Sequence, residues 1–158
     1  GVRGIRLSPG DLVVAMEVVK PQDRLLLVTL LGYGKLVRVQ NYRFQARGGK
    51  GLVTFKISEK TGDIAAAQVV VSGAQEDVML VSAKCQVIRT RLEQIPQQGR
   101  HTRGAIVWKG HPDDYVASVA CFSEMRPSPQ DSDLEETKGT AQRSTNGHKP
   151  TDHQDEPE

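Results

Sequence analysis

Apolar residues in the first 122 positions come in short bursts separated by glycine and charge, and none has a helical spacing of useful length. Leu25–Leu31 and Val78–Ala83 are β-rich runs. Each leads through a short turn (Gly32-Tyr33-Gly34; Lys84-Cys85-Gln86) into a run that alternates apolar and polar residues. Those runs are Leu36-Val37-Arg38-Val39 and Val87–Leu92, the pattern of strands with one face buried. A Gly/Arg-rich loop leads to a third alternating run, Leu52–Ile57 or Ala105–Lys109. A turn at Lys60–Asp63 or Pro112–Asp114 then precedes a fourth strand.

The parallel order of those runs is a repeat. With an offset of 53, Leu25–Thr29 lies over Val78–Ser82, and the register holds without a gap for some thirty residues. Gly32 falls on Cys85, Arg38 on Arg91, Arg47 on Arg100, Gly51 on Gly104, Phe55 on Trp108 and Lys56 on Lys109. Further on, Asp63-Ile64-Ala65-Ala66 matches Asp114-Tyr115-Val116-Ala117, as if the second copy were two residues shorter. Gly1–Leu7 matches Gly51–Ile57 and Gly104–Gly110, with Asp11 taking the Asp63 position. Four strands per unit at a period of about 50 residues predict an all-β fold, a partial pinwheel or propeller-like array. The expected units are 1–20 (the end of a preceding blade), 21–72 (a full blade) and 73–122 (a final blade). Opening inside a unit, at Gly1 with no initiator Met, predicts a fragment or processed product.

Beyond Phe122 the composition changes. Ser123–Glu158 holds one Leu, one Met and no Val, Ile or aromatic residue. Such a segment buries too little apolar surface to offset about 1–2 kcal/mol of backbone entropy per residue, so 123–158 is expected to be a disordered acidic polar tail. The formal charge of +2 conceals an asymmetry. Residues 1–123 carry 17 basic and 10 acidic side chains, and 124–158 carry 4 and 9. A basic body suits a polyanionic partner. No apolar run nears the roughly 20 residues of a membrane helix, so no membrane partner is expected. Two cysteines, Cys85 and Cys121, are too few for a disulfide scaffold, which points to a reducing, cytoplasmic setting.

The most informative stretch is Gln45-Ala46-Arg47-Gly48-Gly49-Lys50-Gly51, repeated as Gln98-Gly99-Arg100-His101-Thr102-Arg103-Gly104. Glycines let the backbone approach a ligand closely and leave amides free for phosphate oxygens, while arginine offers a bidentate fork. Stacked loops of this kind would line one rim with charge and track a nucleic-acid backbone without reading bases. Arg47, Lys50, Arg100 and Arg103 are therefore the leading phosphate contacts, with Arg38, Lys56, Arg91 and Lys109 as a second tier. Lys35 and Arg89 rank lower because they have no basic counterpart one repeat away. Trp108, Phe55 and Ile5 share a position whose common apolar character predicts core. No P-loop, zinc spacing, nucleotide-binding fingerprint or G-x-S-x-G elbow occurs, so neither a catalytic nor a metal site is expected.

Gly1–Leu7, Gly32-Tyr33-Gly34-Lys35 and Arg47-Gly48-Gly49-Lys50-Gly51 with Lys56 resemble the C-terminal region of DNA gyrase A subunits. Val87–Arg91 with Gly99–Gly104 resembles the final repeat of that family, and the resemblance covers about 1–122. It implies a six-bladed β-pinwheel whose basic rim wraps duplex DNA, supporting negative supercoiling by an ATP-dependent type II topoisomerase. The implied partners are duplex DNA of any sequence, a second gyrase A subunit, and the gyrase B subunit. Magnesium, ATP and the catalytic tyrosine would belong to parts outside this chain, which would need no cofactor of its own. The implied location is the bacterial cytoplasm, on the chromosome. Gln45–Gly51 is similar to the seven-residue box that defines gyrase, but Ala46 stands where a basic residue is expected, and the box belongs to the first blade. The A-type subunit of topoisomerase IV, a decatenase, has related blades, and a basic propeller for acidic protein partners is a further alternative.

Overall fold

A computed structural model describes residues 1–71 and 76–122. Among these residues the fold is all-β, with seven strands: β1 (Arg24–Thr29), β2 (Tyr33–Arg38), β3 (Ile64–Val70), β4 (Asp77–Ser82), β5 (Val87–Arg91), β6 (Ala105–Ile106) and β7 (Val116–Phe122). They form two antiparallel sheets, in the orders β3-β1-β2-β6 and β5-β4-β7. The tail expected at 123–158 lies outside the described residues.

The sheets are built alike because the sequences repeat. Arg24 pairs with Arg38 and Val28 with Gly34 in the first hairpin; Asp77 pairs with Arg91 and Val81 with Val87 in the second. Each hairpin turns through a residue in the left-handed region, Gly32 at φ +79° and Cys85 at φ +62°. The backbone amides of both donate to the carbonyl three residues back, on Thr29 and Ser82. Those same residues accept a further amide on their hydroxyls, from Tyr33 and Gln86. A 3-10 turn follows each second strand, over Val39–Asn41 and Leu92–Gln94.

The hydrogen bonds correct the sequence register by one residue. Leu30 donates to the Asp63 carbonyl and Ala83, its counterpart, to the Tyr115 carbonyl. Thr29 faces Ile64 and Ser82 faces Val116. Tyr115 thus takes the place of Asp63, and the second copy is one residue shorter, not two. Thr61 corresponds to Asp114 instead: the Thr61 and Asp114 amides donate to the carbonyls of Ser58 and His111, three residues back. The Asp11 amide bonds the Ser8 carbonyl in the same way, which places Asp11 with Thr61 rather than with Asp63. Burial pushes the Asp114 carboxyl up, but hydrogen bonds from the Ser82 hydroxyl and the Lys84 and Tyr115 amides, with the Lys84 charge, bring it below its ordinary value.

The third alternating run also departs from expectation. Leu52–Ile57 forms no strand, and of its counterpart only Ala105–Ile106 does. That short strand pairs with β2 of the preceding repeat, Tyr33 opposite Ile106 and Gly34 opposite Ala105. The first sheet therefore has three strands of its own repeat and a fourth from the next.

Two apolar layers result. Leu26, Val28, Leu36, Val78, Leu80 and Trp108 belong to one buried cluster, and Leu27, Val37 and Phe55 to another. Trp108 and Phe55, one repeat apart, thus each fill a core layer, whereas Ile5 is 46% exposed. Close packing around Trp108 demands glycine at position 32, where a Cβ would stand 2.1 Å from the Trp108 carbonyl oxygen.

Candidate nucleic-acid interface

Both glycine-rich loops rest on the third run of the preceding repeat through one recurring interaction. The Arg6 amide donates to the Gly49 carbonyl at 2.8 Å, and the Lys56 amide donates to the Thr102 carbonyl at 3.0 Å. These are the same bond, one repeat apart. The bond places a basic residue of one repeat beside the loop of the next, Arg6 at loop 45–51 and Lys56 at loop 98–104. Positive φ at Gly48, Gly51 and Gly104 (+75°, +82°, +72°) turns the loops. At Gly104 a Cβ would also meet the Gly34 carbonyl oxygen at 2.7 Å.

In the second loop this juxtaposition forms a cleft of about 720 Å³ lined by Lys56, Lys60, His101 and Arg103, with Ser58, Glu59 and Thr102. Two of the sequence candidates, Lys56 and Arg103, thus share one wall, and Lys60 joins them. Lys56, Lys60 and Arg103 are exposed. Their ammonium and guanidinium groups stay hydrated until a polyanion releases its counterions on binding. In the first loop, Arg47 and Arg43 line a shallow depression of about 410 Å³ with Gly48 and Gly49, and Lys50 follows directly, exposed.

Arg100 is placed differently from Arg47, its sequence counterpart. Its Nη1 donates to the Val53 carbonyl at 2.9 Å, and its guanidinium lies 5.6 Å from the centre of the Tyr42 ring. Burial raises the Tyr42 pKa, while the hydrogen bond with Thr54 and the Arg100 charge oppose the rise. Arg100 is thus half-buried and engaged within the protein, although only one of its nitrogens is used. Arg38 is exposed at the end of β2, and turning the Gln97 amide so that its oxygen accepts gives Arg38 Nε and Nη2 a partner at 2.9 and 3.3 Å. Arg91 and Lys109 are exposed and line neither the cleft nor the depression.

Lys35, ranked low as a phosphate contact, has a structural place that repeat matching did not reveal. It is fully buried, and its ammonium donates to the carbonyls of Gly99, Arg100 and Thr102, each at 2.9 Å, and to the Thr102 hydroxyl at 3.2 Å. It also stands 4.6 Å from the centre of the Phe55 ring. Burial lowers its pKa from 10.5 to about 8. A signal was present: in β2, residues 33, 35 and 37 share one face, and Tyr33 and Val37 belong to the Phe55 layer. A lysine at an inward position must find acceptors, and the turning loop of the next repeat supplies them. Its counterpart is Ile88, so no basic pair revealed it.

Residues 1–20, 23–70 and 76–123 match the family model described as the DNA gyrase C-terminal domain, β-propeller. The chain belongs to the DNA gyrase C-terminal domain family. The DNA gyrase A subunit of Dehalogenimonas lykanthroporepellens is 40% identical over 130 residues, 78% of this chain and 16% of the relative. That of Staphylococcus aureus is 34% identical over 149 residues, 93% of this chain and 16% of the relative. The chain thus spans about a sixth of these gyrase proteins. A solved gyrase A C-terminal domain superposes with TM-score 0.69 at 31% identity, over 77% of this chain and 41% of that one. A topoisomerase IV C-terminal domain reaches the same TM-score at 17% identity, over 86% and 42%, and shares the fold.

Proposed function

We propose that residues 1–122 are a non-catalytic, DNA-wrapping part of a gyrase A protein that follows the backbone of duplex DNA without reading its sequence. The observation that carries this reading is the repeated bond between Arg6 and Gly49 and between Lys56 and Thr102, which brings cations of two successive repeats to each glycine-rich loop. Arg47, Lys50, Lys56, Lys60 and Arg103 are the foremost phosphate contacts. Arg38, Arg91 and Lys109 are outlying ones, and Arg100, held by the Val53 carbonyl and the Tyr42 ring, adds little to phosphate contact. No α-helix is present among the described residues to enter a major groove, which fits contact with phosphates over contact with bases.

In the assembled gyrase this region would hold a DNA segment beside the cleavage apparatus, so that ATP-driven strand passage introduces negative supercoils. On this reading the partners are duplex DNA, a second gyrase A subunit, and the gyrase B subunit, in the bacterial cytoplasm on the chromosome. Magnesium and ATP would serve parts of the assembly outside this chain. The relatives' names favour gyrase over topoisomerase IV. Reversing Arg47, Lys50, Lys56 and Arg103 to Glu should lower affinity for a ~40 bp duplex about a hundredfold or more, with the circular dichroism spectrum unchanged. Affinity within twofold of the original would overturn the assignment. Retained affinity for an acidic protein, with none for DNA, would favour a protein partner.

A further inference from the structure

The loop that carries Arg47 also carries a phenylalanine that the protein does not use for packing. Phe44 is 102% exposed, while Phe55 and Trp108 are almost completely buried. Arg43 precedes it, Arg47 and Lys50 follow, and with Arg43 and Arg47 it lines the same shallow depression. The same position is exposed one repeat later. The counterpart one repeat later is Gln97, whose backbone is bridged to Leu36 of the adjoining repeat, with the Leu36 amide on the Pro96 carbonyl and the Gln98 amide on the Leu36 carbonyl. Even so packed, Gln97 stays exposed.

An uncharged aromatic ring standing in water among cations has no gain from the folded state alone; its apolar surface is covered only when a partner arrives. Rings in this setting enter nucleic acids by wedging into a base step, unstacking it partly and bending the duplex. From this placement we infer that Phe44 inserts into a base step of the duplex while Arg43, Arg47 and Lys50 hold the flanking phosphates. The inference rests on the DNA-binding reading above and adds a bend centre to it. Pyrimidine–purine steps unstack most readily, so binding otherwise indifferent to sequence should favour a TA step under this loop.

The test uses the intact chain, a ~40 bp duplex with 2-aminopurine in place of the adenine of a central TA step, and the variants Phe44→Ala and Phe44→Trp. Because Phe44 touches no core residue, both should keep the original circular dichroism spectrum. The original chain and Phe44→Trp should raise 2-aminopurine fluorescence on binding. Phe44→Ala should abolish the rise and weaken binding about tenfold, with the salt slope unchanged. If Phe44→Ala binds as tightly and perturbs 2-aminopurine as strongly as the original, the wedge is wrong while the DNA reading stands. If the original chain shows no salt-dependent binding, the DNA reading fails and the wedge with it.

Discussion

Loops 45–51 and 98–104 occupy one position in two repeats, with Gly51 on Gly104, the cations Arg47 and Lys50 on Arg100 and Arg103, and the same backbone hydrogen bond, yet they are held in opposite ways. Loop 98–104 is fastened from inside: Lys35 collects three of its carbonyls, and Arg100 folds back onto Val53 and Tyr42. Among the described residues, loop 45–51 shows no buried cation of this kind; the Gly48 amide bonds the Gly4 carbonyl, the Gly49 carbonyl takes the Arg6 amide, Gln45 Nε2 reaches the Gly51 carbonyl, and Arg47 faces solvent. Matching sequence thus divides into different duties. One loop presents a fixed wall of Lys56, Lys60 and Arg103, and the other presents Arg47 and Phe44 on a more open turn.

The largest effect expected from breaking this difference is at Lys35. Lys35→Met removes a buried ammonium and strands three carbonyls, and should destabilise the fold by about 3 kcal/mol in urea denaturation. Amide exchange should accelerate in 98–104 and stay unchanged in 45–51; equal acceleration in both would remove the contrast. The pH dependence has a definite sign. Between about pH 8 and the solvated lysine value of 10.5, the unfolded chain holds a proton that folded Lys35 has released. Stability relative to Lys35→Met should therefore rise as pH increases through that window. The neutral amine still donates to the carbonyls.

A smaller effect separates Arg47 from Arg100. Arg47→Ala should reduce the salt slope of DNA binding by about 1 and leave stability unchanged, as expected for a phosphate contact. Arg100→Ala should leave the slope within a few tenths of its original value and destabilise the fold by about 1–2 kcal/mol, the cost of a charged hydrogen bond. Equal slopes for the two variants would make the loops equivalent after all.

The same contrast between repeats extends to the hairpin turns, where the effect should be smallest. Cys85 adopts φ +62° at the position Gly32 fills in the first repeat. Cys85→Gly should stabilise the fold by about 1 kcal/mol, read as a higher urea midpoint, because glycine meets no Cβ penalty there. The cysteines themselves should differ in reactivity. Burial pushes the Cys121 thiol up to about 11, whereas Cys85 is exposed, so alkylation at pH 8 should modify Cys85 first and Cys121 at least about a hundredfold more slowly.

The repeat, the all-β class, the burial of Phe55 and Trp108 and the equivalence of the two glycine-rich loops were legible because each leaves a residue pattern one period apart. The exchanged strand was not. Leu52–Ile57 and Ala105–Lys109 alternate equally well, and only the availability of an edge, β2 beside Ala105–Ile106, decides which becomes a strand. The register slipped because Asp63 and Asp114 share an identity, whereas Thr61 and Asp114 share a turn, each amide bonding the carbonyl three residues back, on Ser58 and His111. Lys35 escaped for a related reason. Its partners are backbone carbonyls 64 to 67 residues away, which no side-chain pattern marks.

The most direct test of DNA tracking is the salt dependence of binding. Fluorescence anisotropy of a labelled ~40 bp duplex with the intact chain, at several salt concentrations and with two unrelated sequences, should give a log–log slope near −4 to −5, corresponding to about 4–6 phosphates, and the same slope for both. A slope near zero from a folded sample, or a large affinity difference between two sequences matched in their TA steps, would contradict backbone tracking by these loops.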